Sequence, residues 1–329
     1  MRKNIRDMRL GDLVDDNYIV KFKKPPAKYS TGRKEGKWME LHIKDYTGEI
    51  AVRVWGHDNA TAERLYEAIN EEDVVHVRGT VNKYGENLII YVNPERGEFV
   101  EKVENPNYGE FQISIGDVRW LSESYEEMKE EFWSMIDGVK DENLRELLNS
   151  IFGDDEFWLS FSEAPASKRI HSPYIHGLLH HTLNVARIAT RVAELYPTVN
   201  RDLVLAGALL HDIGKIREYE IRGTIDLTDD SRLIGHVFLS AEMVDEKIKD
   251  MKNFPELMRK KLIHIILSHH GPLENGWGSA KDPAIPEAEI VALSDLMDSQ
   301  VFQYVRTKEE AKEEISKYDK TLRKHIFLR

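Results

Sequence analysis

Cysteine is absent from all 329 residues. Disulfides and thiolate chemistry are therefore excluded, and any metal must be held by imidazole and carboxylate. No uninterrupted apolar run approaches the roughly 18 residues that a membrane span needs. The basic start, Met1-Arg2-Lys3-Asn4-Ile5-Arg6, leads into no apolar stretch, which argues against a signal peptide. A soluble cytoplasmic protein with no membrane partner is the expectation. Positive charge is in deficit as well: the net charge of -12, taken alone, argues against nucleic acid. Internal repeats and low-complexity segments are also missing, so the chain reads as two or three ordinary domains.

The charge deficit is uneven. Residues 1–94 carry 16 Lys/Arg against 15 Asp/Glu, and Lys21 to Lys44 holds eight cations with only Glu35 and Glu40 among them. A locally basic strip can bind a polyanion even in an acidic protein. The alternative is a solvated charged face. This same region reads as strands. Asn17–Phe22 and Ala27–Ser30 flank Pro25-Pro26, which should bend or interrupt an edge strand. Lys37–Asp45 alternates, with Met39, Leu41 and Ile43 on one face. Ile50–Trp55, a short helix over Thr61–Ile69, and strands at Val74–Lys83 and Leu88–Val92 follow. Five strands with a helix between the third and fourth is the order of an OB barrel. Such barrels bind single strands through a basic groove and stacking aromatics. Lys21, Lys23, Lys28, Arg33, Lys34, Lys37 and Arg53 are the groove cations; Trp38 and Trp55, with Tyr29, Tyr84 and Tyr91, are the stackers or, alternatively, packing.

After a connector from Pro94 to about Gly116 the period changes to 3.6. Helices are expected over 126–136, 142–152, 177–195, 201–213, 234–249, 256–270, 287–303 and 308–318. The expected division is a barrel over 1–94, a connector and helical segment over 95–160, an all-α bundle over 161–305 and a helical tail over 306–329.

Nine of the 13 histidines fall between His171 and His270. Burying that many imidazoles beside apolar stripes needs a partner for each. His181 sits within a helix, His211 and Asp212 close the next, and His236 opens another. His269 and His270 end a fourth, while Asp295 and Asp298 lie three apart on a fifth. Any one of these histidines alone reads as a satisfied core residue. The ordered set His…His-Asp…His…His-His…Asp reads as a divalent metal centre, with manganese, iron, cobalt, nickel and zinc all compatible with such ligands.

This ordered set resembles the HD-domain phosphohydrolase superfamily, whose minimal signature falls here on His181, His211, Asp212 and Asp295. The intermediate histidines look like the branch that houses two metals. By that resemblance His236 and one or both of His269 and His270 complete a second site, with Asp212 bridging. The stretch His270-Gly271-Pro272-Leu273 lacks the Tyr-Pro of the cyclic di-GMP branch. The layout of barrel, helical connector and HD domain is similar to the YhaM-type 3′→5′ exoribonucleases. Local matches are Asp45-Tyr46-Thr47-Gly48-Glu49-Ile50 with Trp55, Ala164-Pro165-Ala166-Ser167-Lys168-Arg169, Leu233-Ile234-Gly235-His236 and Ser268-His269-His270-Gly271. His180 stands where that family often has an aromatic.

The resemblance implies an all-β OB barrel followed by an all-α HD bundle, acting as a phosphodiesterase on single-stranded RNA or ssDNA. It also implies two divalent ions, manganese foremost with magnesium also open, which activate water and neutralise a phosphate. Lys215 is expected to meet a phosphate oxygen or, alternatively, to serve the dipole of its helix end. Lys168 and Arg169 are expected to hold the next phosphate or, alternatively, to be a solvated pair, and Asp298 to position a water or a ligand histidine or, alternatively, to be a helix-surface acid. Competing readings are a nucleotide phosphohydrolase or cyclic-nucleotide phosphodiesterase of the same superfamily, and a non-catalytic nucleic-acid-binding protein.

Overall fold

The computed structural model describes all residues except 1–2, 30–35, 57–58, 114–116, 119, 168–173, 222–224, 277, 312–314, 321 and 329. The chain divides into two compact units, Met1–Gln112 with Ile221–Ile225, and Ile113–Glu220 with Asp226–Arg329.

In the first unit, β1 (Leu13–Lys28), β2 (Lys37–Asp45), β3 (Gly48–Trp55), α1 (Asn59–Ala68), β4 (Val74–Tyr84), β5 (Asn87–Val92) and β6 (Phe99–Lys102) follow in order. The sheet order is β1-β2-β3-β5-β4-β6, and a further β1–β4 pairing closes it into a barrel. β3 and β5 pair in parallel, as α1 and β4 intervene between them. Alternation decides what is inside: Met39, Leu41, Ile43, Val52, Val54 and Ile90 are buried, so their neighbours Trp38, Glu40, His42 and Arg53 face outward from the barrel core. Pro25-Pro26 does not break β1. The strand runs through with a register shift between Lys24 and Ala27, a bulge that absorbs the missing N–H groups. Nor does this unit end at 94. β6 adds to β4, and Phe111 buries against Ile19 and Val74, which carries the unit to Gln112.

The second unit is helical: α2 (Tyr125–Asp137), α3 (Glu142–Phe152), α4 (Asp155–Glu163), α5 (Gly177–Ala193) and α6 (Arg201–Leu210) come first. A small hairpin, β7 (Tyr219–Ile221) and β8 (Ile225–Leu227), is followed by α7 (Asp229–Leu233), α8 (His236–Asp250), α9 (Glu256–Ser268) and α10 (Pro286–Glu310). Starts are set by side chains: Ser124 and Glu127 form a reciprocal capping box on α2, and Asn200 accepts from the Leu203 N–H at α6. Leu178, Leu179, Val185, Leu203, Leu209, Leu210, Ile265, Ile266 and Val291 pack into one core. Each such fully buried side chain contributes roughly 1.5–3 kcal/mol. Gly207 on α6 lets α9 approach, since a Cβ there would lie 2.7 Å from Ile265 Cγ2.

The tail is not helical as expected. α10 ends at Glu310, and β9 (Ser316–Asp319) pairs antiparallel with β10 (Lys324–Phe327). Asp319 explains the difference. One of its carboxylate oxygens accepts from the Leu322 N–H at the turn, and the other accepts from Thr307 and Gln303 of α10. Helix α4 was the reverse case, present in the structure but not foreseen.

Candidate metal centre

Five helices deliver one wall each. His181 lies inside α5, His211 follows the last residue of α6, His236 is the first residue of α8, His269 follows the end of α9, and Asp295 sits in α10. The ligand atoms of His181, His211 and Asp295 lie within 4.8 Å of one another, as do those of Asp212, His236, His269 and His270. Asp212 joins the two groups. Its Oδ2 lies 3.4 Å from His181 Nε2 and 3.3 Å from His211 Nε2. Its Oδ1 lies 3.5 Å from His236 Nε2 and 3.4 Å from His269 Nε2. Asp295 Oδ1 is 3.2 Å from His181 Nε2.

The other ring nitrogens fix the tautomers. His211 Nδ1 donates to the Ala208 carbonyl at 2.7 Å, and His269 Nδ1 to the Ile266 carbonyl at 2.6 Å. His181 Nδ1 donates to Asp298 Oδ2 at 2.7 Å, and His236 Nδ1 lies 3.0 Å from Glu218 Oε2. In the neutral imidazole, the Nε2 of His211 and of His269 is thereby left as a lone pair facing inward. The consequence is electrostatic. His181 and His211 bring their Nε2 atoms to 3.4 Å, and His236 and His270 bring theirs to 3.3 Å, so ring nitrogens crowd into each narrow gap. Buried Asp212 Oδ1 and His269 Nε2 also lack a hydrogen-bond partner among the described residues. A buried polar atom left unpaired costs roughly 1–3 kcal/mol. Divalent cations answer both problems, and an N/O donor set of this kind suits them. The residues present fit such ions.

Charge states agree. Burial pushes the Asp212 carboxyl up, but Lys215 and His211 hold it well below the usual range. Burial likewise raises Asp295, and His181 outweighs it, keeping the carboxylate ionised. For His181 burial acts downward, yet Asp212, Asp295 and Asp298 drive it well above the ordinary imidazole value. That ring is held in a field that calls for positive charge. His270, by contrast, is pushed down to about 3 by burial and by His269, and stays neutral.

Lys215 does not stand free. Its buried ammonium lies 2.6 Å from Asp212 Oδ2, and the Asp212 charge raises it above the ordinary lysine range despite burial. It also lines a cleft of about 770 Å³ beside the centre, with His270, Asn275, Asp295, Leu296, Ser299, Gln300, Gln303, Arg323 and Lys324. Asp298 meets His181. Lys168 and Arg169 fall outside the described residues. Sequence reasoning missed Glu218, which holds His236 on one side and accepts from Ser231 at 3.1 Å on the other. Its only sequence signal is a position three residues past Lys215.

On the barrel, Arg53 is the hub of an outer-face platform. Its guanidinium lies 4.4 Å from the Trp38 ring and 4.5 Å from that of Tyr84, and its Nη2 donates to Glu40 at 2.7 Å. Tyr29 stacks on Trp55 with centroids 5.6 Å apart, and Tyr91 meets Trp55 edge-on at 5.5 Å. These three rings border a cleft of about 650 Å³ that also includes Asn82 and Arg96. The foreseen cations are mostly engaged within the barrel. Lys21 pairs with Glu49, Lys37 pairs with Glu63, and Lys23 caps the end of α1 through the carbonyls of Tyr66 and Ile69. Lys28 is exposed, while Arg33 and Lys34 fall outside the described residues.

Five-helix convergence on a His-Asp doublet, in a chain that also carries a closed five-stranded barrel, defines a class. The family model described as HD domain matches residues 178–300, and that described as OB-fold nucleic acid binding domain matches 19–96. Residues 178–300 thus match an HD domain and residues 19–96 an OB-fold domain, the order of barrel and helical region that the sequence led one to expect. Among named relatives, a 3'-5' exoribonuclease YhaM from Listeria welshimeri is 29% identical, covering 92% of this chain and 90% of that protein. One from Shouchella clausii is 29% identical, covering 92% and 88%. One from Bacillus velezensis is 28% identical, covering 95% and 93%. Among solved structures, a domain of replication protein A from Methanococcus maripaludis is 24% identical and covers 32% of this chain and 97% of its own. Its TM-score of 0.25 adds nothing to what the strand order shows. No helix of the described residues is long and apolar enough to cross a membrane.

Proposed function

We propose that this protein is a metal-dependent 3′→5′ exoribonuclease that releases nucleoside 5′-monophosphates from single-stranded RNA in the cytoplasm. The observation that carries the reading is the pair of ligand groups joined through Asp212. The names of the relatives, which match nearly the full length, point the same way. His181, His211 and Asp295 would hold one divalent ion and His236, His269 and His270 the other, with Asp212 shared between them. Manganese is the first choice on such ligands. When bound, a pair of ions activates water and neutralises the charge that builds on a phosphate.

The chain's own residues supply the rest. Asp298 accepts from His181 Nδ1, and the Glu218 carboxylate lies 3.0 Å from His236 Nδ1, so each ring would turn its Nε2 toward the ion. Lys215 keeps Asp212 ionised and retains donors for a phosphate oxygen at the cleft. Hydrolysis consumes one water per step. The bond from phosphorus to the 3′-oxygen of the preceding nucleotide breaks, the water oxygen stays on the 5′-phosphate released, and the 3′-oxygen takes a proton. The barrel would hold the upstream strand on Trp55, Tyr29 and Tyr91, where stacking is indifferent to base identity.

The test is parallel incubation of 5′-labelled and 3′-labelled RNA, with metal content measured on the same preparation. The expected result is a ladder shortening one nucleotide at a time from the 5′-labelled strand, and labelled mononucleotide at once from the other. Turnover of free nucleotides with intact RNA would favour a nucleotide phosphohydrolase instead.

A further inference from the structure

The cleft beside the metal centre has one wall that the ligand set does not explain. Leu322, Arg323 and Lys324 line it, opposite Asp295, Leu296, Ser299, Gln300 and Gln303 of α10. They come from the turn and second strand of the C-terminal hairpin, some hundred and forty residues past the first histidine. Their placement is enforced. Buried Asp319 ties the hairpin to α10 through Gln303 and Thr307, each at 2.8 Å, and closes the turn by accepting from the Leu322 N–H at 2.8 Å. Ile326 is buried, so β10 has a fixed inner face. Arg323 sits at φ +53°, a conformation that costs a non-glycine residue energy and persists only where its surroundings impose it. The turn therefore presents two adjacent cations to the cleft by construction.

The chemistry of the remaining lining narrows the ligand. Leu296 and Ala292 offer an apolar patch, and Asn275, Ser299, Gln300 and Gln303 offer neutral donors and acceptors. A cleft with an apolar floor, amide edges and a cationic rim suits a nucleoside with a phosphate attached. Neither cation has an acidic partner in an ion pair among the described residues; Lys324 Nζ lies 5.6 Å from the Tyr304 ring.

We propose that the C-terminal hairpin is a substrate-binding element, and that Arg323 and Lys324 hold the backbone phosphate on the 5′ side of the nucleotide preceding the scissile bond. This rests on the exoribonuclease reading. It makes the tail a specificity device: a substrate carrying that phosphate is favoured over one that ends in a hydroxyl there.

Dinucleotides isolate the contact. The pair to compare is pNpN, which bears the extra 5′-phosphate, and NpN, which lacks it, using the full chain loaded with manganese. Wild type should prefer pNpN in kcat/KM on the order of tenfold, the effect of a charge-assisted contact. In Arg323→Gln/Lys324→Gln the ratio should fall toward one, and the preference in wild type should weaken with added salt while that of the variant does not. Asp319→Asn, which loosens the hairpin without touching its cations, should lower the ratio in the same direction. Melting midpoint and metal content show whether each variant is folded. An unchanged ratio in the folded double variant overturns the hairpin site and leaves the exoribonuclease reading standing. Failure of wild type to cleave either dinucleotide or longer RNA overturns both.

Discussion

Replacing Asp298 probes how the first ligand histidine is held. Its carboxylate accepts from His181 Nδ1 at 2.7 Å in a buried setting. A hydrogen bond to a charged group contributes roughly 1.5–3 kcal/mol, which corresponds to about 10- to 150-fold in an equilibrium constant. Loss of the partner behind a metal-bound histidine typically costs about 10–100-fold in metal affinity. The two routes agree. Asp298→Asn keeps an acceptor oxygen and loses the charge, so about tenfold is expected; Asp298→Ala should approach a hundredfold. The effect should be local. The group of His181, His211 and Asp295 should empty first, while the group of His236, His269 and His270 keeps its ion. Dialysis against a series of buffered manganese concentrations, with bound metal counted per chain, reads this directly. Wild type should saturate at two ions, and the alanine variant should hold at one over an intermediate range. Identical curves for variant and wild type, or parallel loss of both ions, would refute the reasoning.

Three further outcomes follow from other sites. A Cβ on Gly214 would lie 2.5 Å from the His236 carbonyl oxygen and 2.6 Å from Ser240 N, so Gly214→Ala must displace the start of α8. The overpacking should cost about 1–3 kcal/mol and weaken metal binding at His236, read as a lower melting midpoint together with a lower metal count; a folded variant with both unchanged would contradict it. Trp55→Ala removes the ring between Tyr29 and Tyr91, and should weaken single-stranded RNA binding by about 1–3 kcal/mol, measured by fluorescence anisotropy in calcium to suppress turnover. Burial pushes the Glu40 carboxyl up, but Lys24, Arg53 and His42 bring it down to about 2, from 4.5. A depressed carboxyl stabilises above its unfolded value, so this contribution, about 1–2 kcal/mol once solvent screening is allowed for, is present at neutral pH and lost as pH falls from 4.5 through about 2. Glu40→Gln should be less stable at neutral pH and lack that acid-sensitive step in tryptophan fluorescence, whereas two parallel curves would dismiss the linkage.

The two candidate ligand clusters could be foreseen because several of their members mark helix ends. His211-Asp212 and His269-His270 each close a run of apolar residues with a 3.6 period, and the eye finds them without coordinates. Glu218 was not legible, as nothing in its spacing from His236 signals that the two side chains meet. The barrel strands followed from alternation, but two features did not. Pro25-Pro26 looked like an interruption because sequence shows the missing N–H groups and not the bulge that tolerates them. The tail looked helical from its mix of Lys and Glu, and only the long-range hold of Asp319 on Thr307 and Gln303 decides for a hairpin. Charge was the most deceptive signal. Lys21, Lys23 and Lys37 were visible as cations, whereas their engagement by Glu49, the carbonyls of α1 and Glu63 is a property of the folded barrel.

Asp212 has a single carboxylate with neighbours on both sides: three nitrogens around one oxygen, two around the other. Occupancy on one side must therefore alter the electron density offered to the other. Thermodynamic reciprocity requires that whatever the first occupant does to the second, the second does equally to the first. The Lys215 ammonium already leans on one of those oxygens, so an arriving cation competes with a resident charge rather than entering neutral space. Were two cations held there, the loading of one group would bias the other through a side chain that belongs wholly to neither half.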